Sequence, residues 1–209
     1  MPKRALPGVP GVPETMGSAM KGGARRSGRS ASAAQKRNSP SRAAALRIAV
    51  VIENDDWHTE VPAIPGLLRK AARRAMTQAR ADGWRGSSKA HELCIVLSDD
   101  RHVRQLNRDY RGKDKPTNVL SFAALDAGKP DADMPWHLGD VILALGVVRK
   151  EATKQRKALN DHLTHLVIHG VLHLLGYDHE EDAEAERMEA LEIAALQRLG
   201  IGNPYCRAD

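Results

Sequence analysis

The chain has 209 residues and a formal net charge of +6, a length that allows one ordinary domain and an extension. Only 3% of the residues are aromatic, so aliphatic side chains must fill the core. No apolar run approaches the roughly 18 residues that cross a bilayer, which argues against a membrane protein. The two cysteines predict a reducing compartment rather than a disulfide scaffold.

The positive charge belongs to residues 1–45. This segment holds nine Lys or Arg and one acidic residue, whereas 23 basic and 25 acidic residues give residues 46–209 a net charge of −2. The segment is rich in Gly, Pro, Ser and Ala and cannot bury enough apolar surface to offset chain entropy, so we predict a disordered basic extension. Three interpretations stay open: an organellar transit peptide, a polyanion-binding tail, or a later start at Met16 or Met20.

From residue 46 onward, strand and helix patterns alternate. Apolar, β-branched runs predict strands at 46–53, 91–98, 117–122 and 138–145. Helical periodicity predicts helices at 64–80, from Asp99 or Asp100 to about 109, from about 147 to 175 with an interruption near Asn160, and at 180–199. We therefore expect residues 46–209 to form one α+β (mixed α/β) domain, in which a small sheet of about four strands packs with four to five helices.

The end of the long helix carries the sequence HGVLHLLGYDH, residues 169–179. His169 and His173 are four residues apart and therefore project from one helix face. Gly176 can end the helix in a left-handed conformation, after which the chain can return toward the same point with His179. Three neutral imidazoles and an open fourth position are typical of a catalytic zinc site, which we place at the end of the long helix.

Two further histidines precede this site on the same helix. His165 lies eight residues before His173, about 12 Å along a helix axis, whereas zinc–nitrogen bonds are about 2.1 Å long. Both cannot bind one ion. We therefore interpret His162 and His165 as packing or substrate-facing residues.

Gly170 separates this site from a protease site. The pattern H-x-x-x-H-x-x-G-x-x-H is that of the metzincin proteases, in which a Glu directly after the first histidine is the general base. Gly170 cannot accept a proton, which disfavours peptide hydrolysis, whereas an open cation still suits a phosphodiester. Asp178 has two interpretations: a hydrogen-bond partner close to the metal, or the N-cap of the next helix.

A cationic loop at residues 110–116 lies between a predicted helix and a predicted strand. Arg111, Lys113 and Lys115 surround a single acid, Asp114, and could hold a phosphate. Arg111, beside the helix end, is the best candidate for a bidentate phosphate contact. Basic loops are usually solvated surface, so the loop alone does not establish a function.

Taken together, these blocks resemble the YbeY family of metal-dependent endoribonucleases, also described as ribosomal RNA maturation factors. The resemblance covers the chain from about residue 46 and rests on three blocks in order. They are Asn107, Tyr110, Arg111 and Asp114 with TNVLSF at residues 117–122, then Leu138-Gly139-Asp140, then H-G-x-L-H-L-x-G-Y-D-H at residues 169–179.

The resemblance implies a zinc-dependent endoribonuclease that cuts single-stranded RNA in the maturation of small-subunit (16S-type) ribosomal RNA and in ribosome quality control. It implies one Zn²⁺ ion bound by His169, His173 and His179, and an essential RNA-handling role for Arg111. The expected partners are single-stranded and ribosomal RNA, the small ribosomal subunit and its assembly proteins. The expected location is the cytoplasm, with organellar targeting by residues 1–45 left open.

The sequence also offers candidates for further RNA contacts and two competing functions. Lys113, Lys115 and His165 are candidate RNA-binding residues, and His165 is also a candidate general acid, a role that no residue fills unambiguously. The main alternative is a noncatalytic RNA-binding ribosome-assembly factor with a structural zinc ion. A zinc protease is the weaker alternative because of Gly170.

Overall fold

A computed structural model describes residues 45–87, 89–124 and 134–206. All of these residues belong to one compact unit. The predicted disorder of residues 1–45 concerns a segment that, apart from Ala45, lies outside the described residues. Among the described helices, none has the length and apolar character needed to cross a membrane.

The described part of the chain contains four strands and six α-helices, which confirms the α+β class and the four-stranded sheet. In chain order they are β1 (Leu46–Ile52), α1 (Asp56–Glu60), α2 (Ile64–Ala81), β2 (His91–Ser98), α3 (Asp100–Arg111), β3 (Val119–Ala123), β4 (Trp136–Ala144), α4 (Leu145–Lys154), α5 (Leu159–Leu174) and α6 (Asp182–Gln197). The predicted number of helices was too low, because α1 has five residues and is too short to show a helical period.

The long helix predicted from about 147 to 175 is two helices, α4 and α5. The break lies between Lys154 and Leu159, where Arg156 adopts a left-handed φ of 54°. No Gly or Pro marks this break, which lies a few residues before the interruption predicted near Asn160. Its consequence for the site is that His169 and His173 belong to a separate helix, α5.

The sheet has the strand order β1-β2-β4-β3. Strands β1, β2 and β4 are parallel, and β3 pairs antiparallel with β4 at the edge, so that Ser121 lies opposite Val141. Ile95 of β2 and Val141 of β4 belong to the main apolar core, which also contains residues of α2, α5 and α6. Helix α5 packs against α2, α6 and the β3–β4 edge of the sheet, and therefore lies at the centre of the domain.

From His162 onward, the accessible side of α5 consists of histidines. From His162 to Leu175, every residue is buried except His165, His169 and His173, which recur at four-residue intervals. Such spacing places them on one helix face. The packing of α5 therefore leaves only imidazoles open to a ligand over this stretch.

Candidate metal centre

Three histidines meet where α5 ends. His169 and His173 come from α5, and His179 comes from the segment before α6; each offers one ring nitrogen, and these nitrogens all lie within 4.8 Å of one another. The Nε2 atoms of His169 and His173 are 3.1 Å apart. Two imidazoles on one tetrahedral zinc ion would have nitrogens roughly 3.4 Å apart. The cluster therefore has the dimensions of a metal site.

The Nδ1 atoms of two of these rings already form hydrogen bonds. His169 Nδ1 donates to Glu192 Oε1 at 2.8 Å, and His173 Nδ1 donates to the carbonyl oxygen of Tyr177 at 3.0 Å. With its N–H on Nδ1, a neutral imidazole has its lone pair on Nε2, so the neutral forms of these two rings would turn lone pairs toward each other. Two facing lone pairs repel unless a cation lies between them, and the residues thus fit a transition-metal ion.

The protonation of His173 agrees with this role. Burial, reinforced by the neighbouring His169 and His179, lowers the pKa of His173 to about 4. His173 is therefore neutral at pH 7, which is the form that binds a metal ion.

The segment that carries His179 is fixed by a turn and a side-chain network. Gly176 has a φ of 89°, the left-handed conformation expected at the helix end. The Tyr177 hydroxyl donates to Asp82 Oδ2 at 2.9 Å, and Arg187 pairs with the same oxygen at 2.7 Å. Burial alone would raise the pKa of Asp82, but the hydrogen bonds from Arg187 and Tyr177 outweigh it and lower that pKa.

Asp178 supports the same segment from within. Its Oδ1 accepts a hydrogen bond from the backbone N–H of His179 at 2.9 Å and lies 3.9 Å from His173 Nδ1. The N-cap of α6 is Glu181, so the N-cap interpretation of Asp178 was wrong. Its position favours the other interpretation, a polar partner of the histidine centre.

Gly170 stands where a metzincin protease has its general base. A Cβ atom at this position would lie 2.8 Å from Val141 Cγ1 and 3.0 Å from Ser121 Oγ. The glycine thus lets α5 approach the sheet closely, and a larger side chain would require the side chains of Val141 and Ser121 to move. The absence of a protease base follows from packing as well as from residue identity.

Arg111 is the last residue of α3, which ends at Gly112 with a φ of 67°. Beside it, the rings of Tyr110 and Phe122 pack edge to face at 5.2 Å, which fixes the end of α3 against β3. Arg111 is exposed and forms no hydrogen bond or ion pair with another described residue. No described contact joins it to the histidine centre, so its catalytic role stays a prediction.

The positive charges of the cationic loop are not neutralised by an acid of the loop itself. Its one acid, Asp114, accepts two hydrogen bonds from Arg104, at 2.8 and 2.9 Å. Lys113 and Lys115 are exposed and form no ion pair with any residue that the structure describes. Because Asp114 is paired with Arg104, Arg111 and the two lysines remain available to bind an anion.

His165 faces the protein more than the solvent. Its side chain is 15% exposed, and its Nε2 donates to Glu192 Oε2 at 2.6 Å. His162 is buried and pairs with Glu151 at 2.9 Å. An RNA contact by His165 stays a prediction, and its observed partner is a carboxylate.

Glu192 is the site residue that sequence reasoning missed. It belongs to α6 and is fully buried, between the His165 and His169 rings. Burial would raise the pKa of this carboxyl group, but the hydrogen bonds from the two histidines lower it to about 2. The available signal was an acid on the apolar side of α6, four residues after the buried Met188.

Comparison with known proteins identifies relatives that match most of the chain. A family model described as Endoribonuclease YbeY matches residues 51–200. The protein of that name from Rhodopseudomonas palustris is 46% identical over 160 residues, which cover 77% of this chain and 81% of that protein. Its counterpart from Parvibaculum lavamentivorans is 48% identical over 166 residues, covering 77% of this chain and 85% of that protein.

A solved structure is also similar. The solution structure of TM1509 from Thermotoga maritima matches with a TM-score of 0.45 and 23% identity, and the match covers 74% of this chain and 88% of that one. This likeness adds nothing to the sequence matches, which carry the family assignment.

Proposed function

The chain belongs to the YbeY endoribonuclease family, and from this premise we propose that it is a zinc-dependent enzyme that cuts single-stranded RNA. Its role would lie in the maturation of small-subunit ribosomal RNA and in ribosome quality control. The observation that carries the proposal is the meeting of three imidazoles at the end of α5, where the Nε2 atoms of His169 and His173 are 3.1 Å apart.

His169, His173 and His179 would hold one zinc ion. All three ligands are neutral, so the ion would keep its double positive charge and supply Lewis-acid stabilisation of the charge that develops on a phosphodiester. Tetrahedral zinc with three protein ligands leaves one position for substrate. The partial exposure of the histidines gives that position access to solvent.

Arg111 would bind the scissile phosphate. Its guanidinium is exposed and unpaired among the described residues, and its planar fork can donate two hydrogen bonds to phosphate oxygens. Lys113 and Lys115 would add positive charge along the RNA backbone. We infer that RNA closes the gap between this loop and the histidine centre, because no contact between described residues does so.

The expected partners are single-stranded and ribosomal RNA and the small ribosomal subunit with its assembly proteins. We place the protein in the cytoplasm, with residues 1–45 as a basic extension and residues 46–209 as the nuclease domain. The structure of the site disfavours a protease, since Gly170 leaves no room for a general base.

The test is an RNA cleavage assay with zinc content measured on the same samples. We expect Arg111→Ala to cut single-stranded RNA on the order of 100-fold more slowly with unchanged zinc content, because removing a transition-state donor typically costs that much. His173→Ala should lose both activity and zinc. The matched control is Arg108→Ala, one turn earlier on α3, which removes an exposed pair with Asp109 and should keep activity near wild type.

Two outcomes would contradict the proposal in different ways. Full activity of Arg111→Ala would remove the role of this residue alone. A wild-type protein that binds RNA and zinc but cuts neither single-stranded nor duplex RNA would instead support the assembly factor with structural zinc.

A further inference from the structure

Glu192 is a buried carboxylate whose described partners are two histidines and a tyrosine. Its side chain is 1% exposed, and within the described parts of the chain no Lys or Arg pairs with it. Its donors are His169 Nδ1 on Oε1, and His165 Nε2 and the Tyr205 hydroxyl on Oε2. Burying a carboxylate is unfavourable unless it is well hydrogen-bonded or paired with charge, and here these three side chains supply the hydrogen bonds.

The carboxylate determines which nitrogen of His169 carries the proton. An ionised carboxylate can only accept hydrogen bonds, so His169 presents N–H at Nδ1, and the neutral ring then has its lone pair at Nε2. That lone pair is directed toward His173. The other tautomer would turn a lone pair toward Glu192 and place an N–H where a metal ion would bind. Glu192 therefore selects the form of His169 that can act as a ligand.

The second oxygen of Glu192 is held by groups outside the metal cluster. Tyr205 belongs to the segment that follows α6, and its ring lies edge-on to His165 at a centroid distance of 5.6 Å. Lys157 Nζ donates to the carbonyl oxygen of Pro204 at 2.7 Å and so ties this segment to the start of α5. The segment after α6 is thus linked to the histidine centre by the hydrogen bond from the Tyr205 hydroxyl to Glu192.

We propose that Glu192 is a positioning residue that holds His169 in its metal-binding tautomer, and that Tyr205 and His165 hold Glu192 in place. The inference rests on the proposed function, since it takes the three histidines as metal ligands. It assigns a part in metal binding to residues of α6 and of the segment after it. A carboxylate behind a ligating imidazole also brings negative charge close to the cation, which raises the basicity of the ligand.

The test measures the affinity for Zn²⁺ by equilibrium competition with a chromophoric chelator, in the full chain. Glu192→Gln should bind Zn²⁺ about 10- to 100-fold more weakly, the usual effect of removing such a partner. Tyr205→Phe removes one hydroxyl from an exposed part of the chain and should weaken binding by about threefold to tenfold. The matched control is Glu186→Gln, which removes an equal charge from an exposed position of α6 and should leave the affinity unchanged.

A second measurement separates positioning from general support of the fold. In the metal-free wild-type protein, ¹⁵N shifts of the His169 ring should show one tautomer with the proton on Nδ1. The Glu192→Gln ring should show a mixture of tautomers, while circular dichroism stays native. If Glu192→Gln does not fold, Tyr205→Phe decides the question.

The outcomes keep this inference apart from the proposed nuclease function. Zn²⁺ affinity of Glu192→Gln and Tyr205→Phe within twofold of wild type would overturn the inference, even if the wild type cuts RNA. A wild type that binds Zn²⁺ more tightly than these variants but cuts no RNA would overturn the nuclease and leave the positioning role standing.

Discussion

Gly170 determines how closely α5 approaches the sheet, directly beside the ligand His169. We expect Gly170→Ala to lower the free energy of unfolding by about 1–3 kcal/mol, because overpacking of a tight core has this magnitude. The new methyl group would lie 2.8 Å from Val141, a stiff β-branched residue. Urea unfolding of the metal-free protein measures the change.

A helical glycine without neighbours provides the control for this substitution. Gly66 lies in α2 and is exposed, and apart from its chain neighbours and the backbone of its own helix no atom lies within 4 Å of its would-be Cβ. Gly66→Ala should therefore raise the unfolding free energy by about 0.5 kcal/mol through the lower chain entropy of alanine. Equal effects at both positions would show that α5 has room at Gly170.

At the scale of single elements, the segment between α5 and α6 is attached to α2 by Asp82. We expect Asp82→Asn to destabilise the protein by about 1 kcal/mol at pH 7, because a carboxylate that accepts from Tyr177 and Arg187 becomes an amide. The exposed pair of Asp114 with Arg104 is the control, and Asp114→Asn should have a smaller effect since its side chain is 51% exposed against 25% for Asp82.

The pH dependence of the Asp82 effect has a definite sign. The folded-state pKa of Asp82 is lowered, so its contribution to stability is complete above the unfolded value of about 3.9 and disappears as the pH falls through the folded value. The difference in unfolding free energy between wild type and Asp82→Asn should accordingly shrink below about pH 4. A difference that grows in acid would contradict the network.

The loop after α3 makes a prediction about RNA binding. Lys113→Ala with Lys115→Ala should weaken binding of single-stranded RNA and lower the slope of log affinity against log salt by about 0.7 for each phosphate that the loop no longer neutralises. The control pair is Lys70→Ala with Lys150→Ala, which removes the same charge from exposed positions of α2 and α4. Parallel salt dependences in the two double variants would show that only net charge matters.

These elements also show what sequence can predict. His169, His173 and Gly176 are close in sequence, so helical spacing and a helix-ending glycine are enough to predict that their side chains converge. Glu192 lies 23 residues from His169, and only the packing of α6 on α5 brings them together. The Asp82–Tyr177 contact spans 95 residues and is beyond any local pattern. Local chemistry was predictable, whereas the partners that hold it depend on the tertiary fold.

At the scale of the whole molecule, the histidine centre joins α5 to the segment before α6. Helix α5 supplies His169 and His173, the segment before α6 supplies His179, and α6 supplies Glu192. A ligand that binds only the folded state stabilises it by mass action. A bound ion should therefore act as a crosslink between α5 and the start of α6.

Zinc should accordingly raise the thermal midpoint of the protein. At a free Zn²⁺ concentration about 100 times the Kd, the stabilisation is about 2.7 kcal/mol. For a chain of this size, about 2–4 °C per kcal/mol converts this into a rise of roughly 5–10 °C, measured by scanning calorimetry. His179→Ala should abolish most of the rise, whereas His58→Ala, an exposed histidine of α1, should keep it. A full rise in His179→Ala would mean that zinc binds elsewhere, because this substitution removes the one ligand that ties the segment before α6 to α5.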